Sequence, residues 1–130
     1  MLCMFWPPTT AALTRMAEVV GIPLPRTDIR VALWHNPLSV SGMAYPYEGR
    51  VVIRFGILST QTQREAAILH EFVHCKRDDR GPLLGHGREF RRALLAAART
   101  WFLRDLPGAL ARLPGSDYTF DRALVRALGS

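Results

Sequence analysis

A glutamate enclosed by two histidines at helical spacing is the feature of this sequence best suited to chemistry. The stretch His70-Glu71-Phe72-Val73-His74 has the form H-E-x-x-H. On a helix, residues four apart share one face, so His70 and His74 can present imidazole nitrogens to one metal ion. Glu71, rotated about 100° from His70 around the helix, would lie beside the ion, where it can deprotonate a water molecule and protonate a leaving amine. The pattern therefore predicts a hydrolytic zinc site.

A third ligand must come from elsewhere, because a catalytic zinc takes three protein ligands and leaves the fourth position to water. No histidine follows His74 at the metzincin offset, H-x-x-G-x-x-H. His86 follows a loop rich in helix breakers, and its neighbours Gly85 and Gly87 permit close backbone approach. Glu89 is the alternative, because gluzincin-type proteases take a glutamate from the second helix. We expect His86 to be the third ligand.

Other interpretations of these residues stay open at this point. His70 and His74 can be ordinary surface or core histidines on a helix, with Glu71 a solvated charge. A second interpretation is a non-catalytic binding module in which zinc joins two helices, although such closed sites usually add a fourth protein ligand. A third is a basic nucleic-acid-binding protein that holds no metal.

Two helices must position the candidate ligands. The capping-box pattern of Thr62 to Glu65 predicts the start of the motif helix, with a body from Ala66 to about Arg77. The breakers that follow, from Asp78 to Pro82, separate it from a second helix that we expect from about Arg88 to Leu103. The sequence thus places His70, Glu71 and His74 on one helix and His86 at the entrance to the next.

The remaining elements have their own signals. Leu13, Met16, Ala17 and Val20 recur at helical spacing after a cap at Thr9 or Thr10, and Gly21 predicts the end of this first helix. Alternating apolar residues predict strands at Asp28–Trp34 and Val51–Phe55 of a small antiparallel sheet. Ser41–Tyr47 is their expected hairpin partner, at an edge or bulge because Pro46 cannot donate to the ladder. A last amphipathic segment, Asp121–Leu128, is expected to pack on the core.

Substrate-binding groups are less well defined by the sequence. Val51–Phe55, just before the motif helix, is the candidate edge strand along which a peptide substrate would add. An oxyanion stabiliser is also expected near zinc. Tyr45, Tyr47 and Tyr118 are candidate donors, and nothing in the sequence selects one of them.

Length and composition predict one soluble domain. With 130 residues, 48% hydrophobic and 22% charged, the chain has the size and balance of a single globular unit. We expect one domain over residues 1–130, with a core at about residues 10–103 and a tail at 104–130. No apolar stretch reaches membrane-spanning length. Because Cys3 and Cys75 are too few for a disulfide framework, we expect a reducing, cytoplasmic location and no membrane partner.

The positive charge raises the question of a polyanionic partner. The formal net charge is +6, and Lys76 is the single lysine among 17 basic residues. Six of these residues, here called the basic rim, flank the proposed site in sequence: Lys76, Arg77, Arg80, Arg88, Arg91 and Arg92. They are candidates for a contact with DNA around the site. A solvated surface, with nearby acidic residues offsetting the charge, explains the same cluster.

Taken together, these residues resemble the SprT-like (Spartan-type) zinc metalloprotease family. The similarity rests on a helical H-E-x-x-H, an intervening loop rich in Arg, Asp and Gly, and H-G-x-x-F opening the next helix. The matching positions are His70, Glu71, His74, His86, Gly87 and Phe90. The resemblance covers roughly residues 29–101 and is sharpest from residue 65 to residue 90.

The resemblance implies a fold and an activity. The implied fold is a zincin-like α+β domain, with a small antiparallel or mixed sheet packed on the motif helix and a second, ligand-bearing helix. One Zn²⁺ would be bound by His70, His74 and His86, and Glu71 would be the general base and acid in hydrolysis of peptide bonds in a protein or peptide substrate. Some family members degrade proteins cross-linked to DNA. Many also carry a zinc ribbon, which two cysteines cannot form, so an activity that depends on DNA does not follow from the resemblance.

Overall fold

Four helices and a small mixed sheet make up the described part of the chain. The computed structural model describes residues 7–33 and 36–129, without the side chains of residues 117 and 118. Cys3, Trp34 and His35 lie outside the described residues. The elements are α1 (Thr10–Val20), β1 (Arg26–Val31), β2 (Val40–Tyr45), β3 (Arg50–Phe55), α2 (Gln61–His74), β4 (Arg77–Asp78), β5 (Gly81–Pro82), α3 (Arg88–Phe102) and α4 (Asp117–Ala127), with short 3-10 helices at Pro46–Glu48 and Gly108–Arg112. The expected α+β class is confirmed.

The main sheet has the strand order β1-β3-β2, with β1 parallel and β2 antiparallel to β3. The antiparallel pairing expected from the strand pattern was therefore wrong for β1, because the chain crosses from one edge of the sheet to the other between β1 and β2. The mixed alternative for this sheet is confirmed. The central strand is β3, where Val51, Val52 and Ile53 are all buried. Because both sides of β3 pair within the sheet, the prediction that Val51–Phe55 is the substrate-accepting edge was also wrong. Pro46 lies just beyond the edge strand β2, where it opens a 3-10 helix.

The motif helix α2 begins two residues earlier than predicted. Thr60, not Thr62, is its N-cap: the Thr60 hydroxyl accepts from the Gln63 amide at 3.1 Å, and the Gln63 side chain accepts from the Thr60 amide at 2.8 Å. Both threonines have a Glu or Gln three residues on, so the pattern alone fits either. The competing residue Glu65 is engaged elsewhere, because its carboxylate accepts from Trp101 Nε1 at 2.6 Å.

The end of α2 also differs from the prediction, since the helix stops at His74 rather than near Arg77. The amides of Cys75 and Lys76 donate to carbonyls three residues back, at 2.9 and 3.0 Å, which tightens the last turn. The chain then enters the β4–β5 hairpin. Helix α2 therefore ends directly after its second histidine, and the hairpin turns the chain back towards the metal-ligand face.

Helix α1 has the predicted caps. The Thr9 hydroxyl accepts from the Ala12 amide at 3.1 Å, and Gly21 ends the helix at φ 89°, in the left-handed region. Lys76 Nζ donates to the Val20 carbonyl at 2.7 Å. The single lysine of the chain thus joins the end of α1 to the segment after α2.

One hydrophobic cluster lies between the helices and the inner face of the sheet. Its largest buried side chains are Met16 of α1, Ile53 of β3, Ile68, Leu69 and Phe72 of α2, Phe90 and Leu94 of α3, and Phe120 and Leu124 of α4. The expected packing of the last amphipathic segment is confirmed for Leu124 and Leu128, and the helix begins four residues earlier, at Asp117. Within the described residues, no helix is long and apolar enough to cross a membrane.

Candidate metal centre

Three imidazoles meet at one point of the structure. His70 and His74 come from successive turns of α2, and His86 comes from the loop before α3. The Nε2 atom of His86 lies 3.0 Å from Nε2 of His70 and 3.0 Å from Nε2 of His74. Two nitrogens bound to one zinc in tetrahedral geometry are about 3.3 Å apart. The three residues predicted as ligands therefore lie together, and their Nε2 atoms are about as far apart as nitrogens that bind the same metal ion.

The second nitrogen of each α2 histidine has its own partner. His74 Nδ1 lies 2.6 Å from the Leu83 carbonyl, an acceptor only, so this nitrogen carries the proton and donates. His70 Nδ1 lies 3.1 Å from Oδ1 of Asp121, and the same assignment holds if that carboxylate is ionised. These hydrogen bonds fix the ring orientations and leave the Nε2 lone pairs directed at the cluster. Burial lowers the pKa of His74 to about 4, although the hydrogen bond to the Leu83 carbonyl acts in the opposite direction. The lowered pKa favours the neutral form of His74, which is the form that binds a metal ion.

The loop that carries His86 is held from the far side. Arg91, one turn into α3, donates through Nε to the His86 carbonyl at 3.2 Å and through Nη1 to the Leu113 carbonyl at 2.7 Å. Glu89, the alternative third ligand, is exposed and is not part of the three-histidine group. The structure thus favours His86 over Glu89 as the third nitrogen or oxygen donor.

Phe90 forms the floor beneath the three rings. It is 1% exposed and its ring stacks on that of His74, with centroids 4.4 Å apart and the ring planes inclined by 27°. The His70 and His86 rings approach the same phenyl ring edge-on, at 4.9 and 4.8 Å. One buried aromatic side chain therefore restricts the orientation of all three candidate ligands.

Glu71 lies beside the histidine cluster. Its Oε2 is 3.9 Å from His70 Nε2, and the side chain is buried. Burial raises the pKa of Glu71 to about 7, an effect that His70 opposes and Asp121 reinforces. A carboxylate with such a pKa can both accept and return a proton near neutral pH. The side chain fits because Gly42 of β2 faces it, leaving the space that a Cβ would fill.

A cleft of about 950 Å³ opens over the cluster. Its floor is α2, one wall is β2 with the loop before it, and the opposite wall is α4. Ser39 lies opposite Gly56 when the β2–β3 register is continued, and its carbonyl accepts from the Gly56 amide at 2.8 Å. Because such bonding alternates along an antiparallel strand, every second residue from Ser39 onwards bonds to β3. The backbone groups of Gly42 and Ala44, at the intervening positions, therefore point away from β3, to the open edge. Among the described residues, β2 therefore presents an open strand edge to the cleft next to Glu71.

The sequence also indicated a basic rim and three candidate oxyanion donors around the site. Lys76 is engaged with the Val20 carbonyl, and Arg91 with the loop carbonyls, so these two members of the basic rim have structural roles. Tyr45 and Tyr47 do not line the cleft. The side chain of Tyr118, the third candidate oxyanion donor, lies outside the described part of the chain, so that expectation stays a prediction.

Gly42 and Asp121 are two site residues that no sequence pattern indicates. Gly42 is one of ten glycines, and nothing local separates it from the others. Asp121 lies in a segment whose amphipathic pattern rests on its apolar residues alone. Their contacts to Glu71 and His70 span distant parts of the chain, and only the fold brings them together.

The arrangement has the composition of an open metal site. It offers three imidazole nitrogens, and the described residues add no fourth ligand to the group. A carboxylate with a raised pKa adjoins it, and a cleft gives access. Comparison of the chain with protein-family models, with curated proteins and with solved structures found no match.

Proposed function

We propose that this protein is a zinc-dependent metallopeptidase that cleaves peptide bonds in protein substrates. The observation that carries the proposal is the position of Glu71, a buried carboxylate 3.9 Å from a histidine of a three-imidazole cluster and open to a substrate-sized cleft. A purely structural metal site needs neither a buried acid with a raised pKa nor access from a cleft.

The donor set fits zinc. Three imidazoles are a common ligand set for catalytic zinc, and the fourth position is left for water or substrate. His70, His74 and His86 would hold the ion through Nε2. When bound, zinc supplies Lewis acidity towards water and the scissile carbonyl.

The residues of the chain account for the remaining steps. The substrate backbone pairs with the open edge of β2, where the groups of Gly42 and Ala44 face it. Glu71 accepts a proton from the attacking water as the bond from oxygen to the carbonyl carbon forms. It then donates that proton to the leaving nitrogen as the C–N bond breaks. Asp121 and the Leu83 carbonyl hold the histidine rings throughout.

The Glu71→Gln variant tests this proposal. The full chain is loaded with zinc and incubated with casein as an unfolded protein substrate, and metal content is measured in parallel. We expect about one zinc per chain in the wild type and in Glu71→Gln, with cleavage lost only in the variant. Glu18→Gln, on the exposed surface of α1, is the matched control and should cleave normally.

Two results would contradict the proposal. Cleavage by Glu71→Gln at the wild-type rate would remove Glu71 from the mechanism. Zinc-loaded wild type that cleaves neither casein nor a library of unstructured peptides would instead assign the site to a non-catalytic, zinc-stabilised binding module. Removal of the metal with a chelator should abolish cleavage, and added zinc should restore it.

A further inference from the structure

Four arginines share the outer face of the sheet, on the side away from α2. Arg26 and Arg30 of β1 lie in register with Arg50 and Arg54 of β3, as the direct pairs Arg26–Arg50 and Arg30–Arg54. Residues two apart on a strand point to the same face, so all four side chains leave the sheet together. We call this set, Arg26, Arg30, Arg50 and Arg54, the arginine face.

The charge on this face is poorly neutralised. Asp28 lies between the two pairs, with Oδ2 3.3 Å from Arg50 Nε and 3.8 Å from an Arg30 nitrogen. In the described part of the chain, Arg26 and Arg54 have no ion-pair partner, and both are exposed. Like charges directly opposite each other across neighbouring strands destabilise a sheet. The face therefore carries a repulsion that a bound polyanion would relieve.

Aromatic and apolar side chains continue the same face onto β2. Tyr45 pairs with Arg50 in the antiparallel register, is 39% exposed, and has its ring 5.2 Å from the Arg50 guanidinium carbon. Met43, two residues before it, is 56% exposed. A surface with guanidinium groups beside an exposed aromatic ring can pair with phosphates and also stack on bases.

We propose that the arginine face, with Tyr45, binds single-stranded nucleic acid. The planar guanidinium group pairs with phosphate through two parallel hydrogen bonds, which suits a backbone of repeating phosphates. The two arginine pairs are about 13 Å apart along the β-strands, at about 3.3 Å per residue. One extended nucleic-acid strand that lies along the sheet can therefore contact both pairs. Tyr45 favours an unpaired strand, because its ring needs an exposed base on which to stack. This surface is on the other side of the sheet from the metal cluster, so the proposal is independent of the proposed peptidase activity.

The test is fluorescence anisotropy with the full chain and a labelled oligothymidylate, titrated at several salt concentrations. Four phosphate contacts predict that log K falls with log salt at a slope of about −3. The double variant Arg26→Ser/Arg54→Ser, which removes the two arginines without ion-pair partners, should bind at least about tenfold more weakly, with a slope shallower by about 1.4. Tyr45→Ala should weaken binding about fivefold and leave the slope unchanged.

A matched control separates the location from the net charge. Arg15→Ser/Arg104→Ser removes two exposed arginines that belong neither to the arginine face nor to the basic rim, and changes the net charge equally. We expect it to bind within about twofold of the wild type. Equal losses in both double variants, or a loss only in the Arg15→Ser/Arg104→Ser variant, would overturn the proposal. So would the absence of binding at about 50 mM salt, or equally tight binding of a polyglutamate of the same length or of duplex DNA. Thermal unfolding of each variant checks that it is folded.

Discussion

Glu71 occupies the space that a side chain at position 42 would need. A Cβ added to Gly42 would lie 2.7 Å from Cγ and 2.8 Å from Oε2 of Glu71. Because β2 is anchored along its length to β3, the strand cannot withdraw without losing ladder hydrogen bonds. An added methyl group would therefore displace the carboxylate.

Gly42→Ala should lower turnover while zinc stays bound. Displacement of a general base by about 1 Å costs about 100-fold in rate, so we expect a fall of that order in kcat for casein cleavage. Metal content should match the wild type, because the three histidines are untouched. Gly108→Ala, where an added Cβ would meet no atom closer than 3.9 Å, is the matched control and should leave kcat unchanged. Normal turnover by Gly42→Ala would mean that Glu71 acts from another position.

His86→Ala and Glu89→Gln distinguish the two candidate third ligands. His86 Nε2 is 3.0 Å from both other histidines, whereas Glu89 is exposed. Loss of one of three protein ligands should lower zinc affinity at least about 100-fold, so His86→Ala should be purified without zinc. Glu89→Gln should retain the wild-type content. The reverse pattern, measured by elemental analysis and by competition with a chromophoric chelator, would identify Glu89 as the ligand.

Asp121→Asn should weaken metal binding without removing a ligand. The Asp121 carboxylate orients the His70 ring through Nδ1 at 3.1 Å, and loss of such a partner typically lowers metal affinity 10–100-fold, so we expect a change of about that size. Competition with a chelator measures it. Asp105→Asn, exposed beyond the end of α3, is the matched control. Equal zinc affinity in both variants would mean that Asp121 does not position His70.

The contrast between these residues indicates what the sequence could predict. His70, Glu71 and His74 lie within one helical turn and a half, so their spacing and the helix period define their relative positions. The placement of His86 beside them required one further assumption, that the loop after α2 returns the chain to the same face of that helix. Gly42 and Asp121 act through contacts that span 29 and 51 positions of the chain, and only the assembled sheet and α4 create those contacts.

Strand order was harder to predict than strand position. Alternating apolar residues located β1 and β3, but alternation does not indicate which neighbour a strand pairs with or in which direction. The residues Val51, Val52 and Ile53 of β3 are consecutive and all buried, which is typical of a central strand. In the sequence, the adjacent apolar residues Val51 and Val52 indicate such a strand, because an edge strand more often alternates apolar and polar residues. The substrate edge was therefore assigned to β3 instead of β2.

Phe90→Ala should reduce both stability and metal affinity. The ring is 1% exposed and contacts all three imidazoles, and truncation of a buried phenylalanine costs about 3–5 kcal/mol in the free energy of unfolding. Met16→Ala, an equally buried core change on α1, should lower stability by about 2–5 kcal/mol with normal zinc affinity. Urea unfolding and chelator competition measure the two effects. Equal zinc affinity in both variants would limit Phe90 to a core-packing role.

Lys76→Met should destabilise the fold, in contrast to its exposed neighbour Arg77. Lys76 Nζ donates to the Val20 carbonyl at 2.7 Å, which gives a partner to one of the last carbonyl groups of α1 and places a positive charge at the negative end of the α1 dipole. A hydrogen bond to a charged donor contributes about 1.5–3 kcal/mol, so we expect the free energy of unfolding in urea to fall by about that amount. Arg77→Met removes the same charge from an exposed side chain and should change it by less than about 0.5 kcal/mol. Similarly small changes in the free energy of unfolding of both variants would mean that Lys76 is a solvated member of the basic rim. A loss of stability confined to Lys76→Met would mean that this side chain stabilises the junction between α1 and α2.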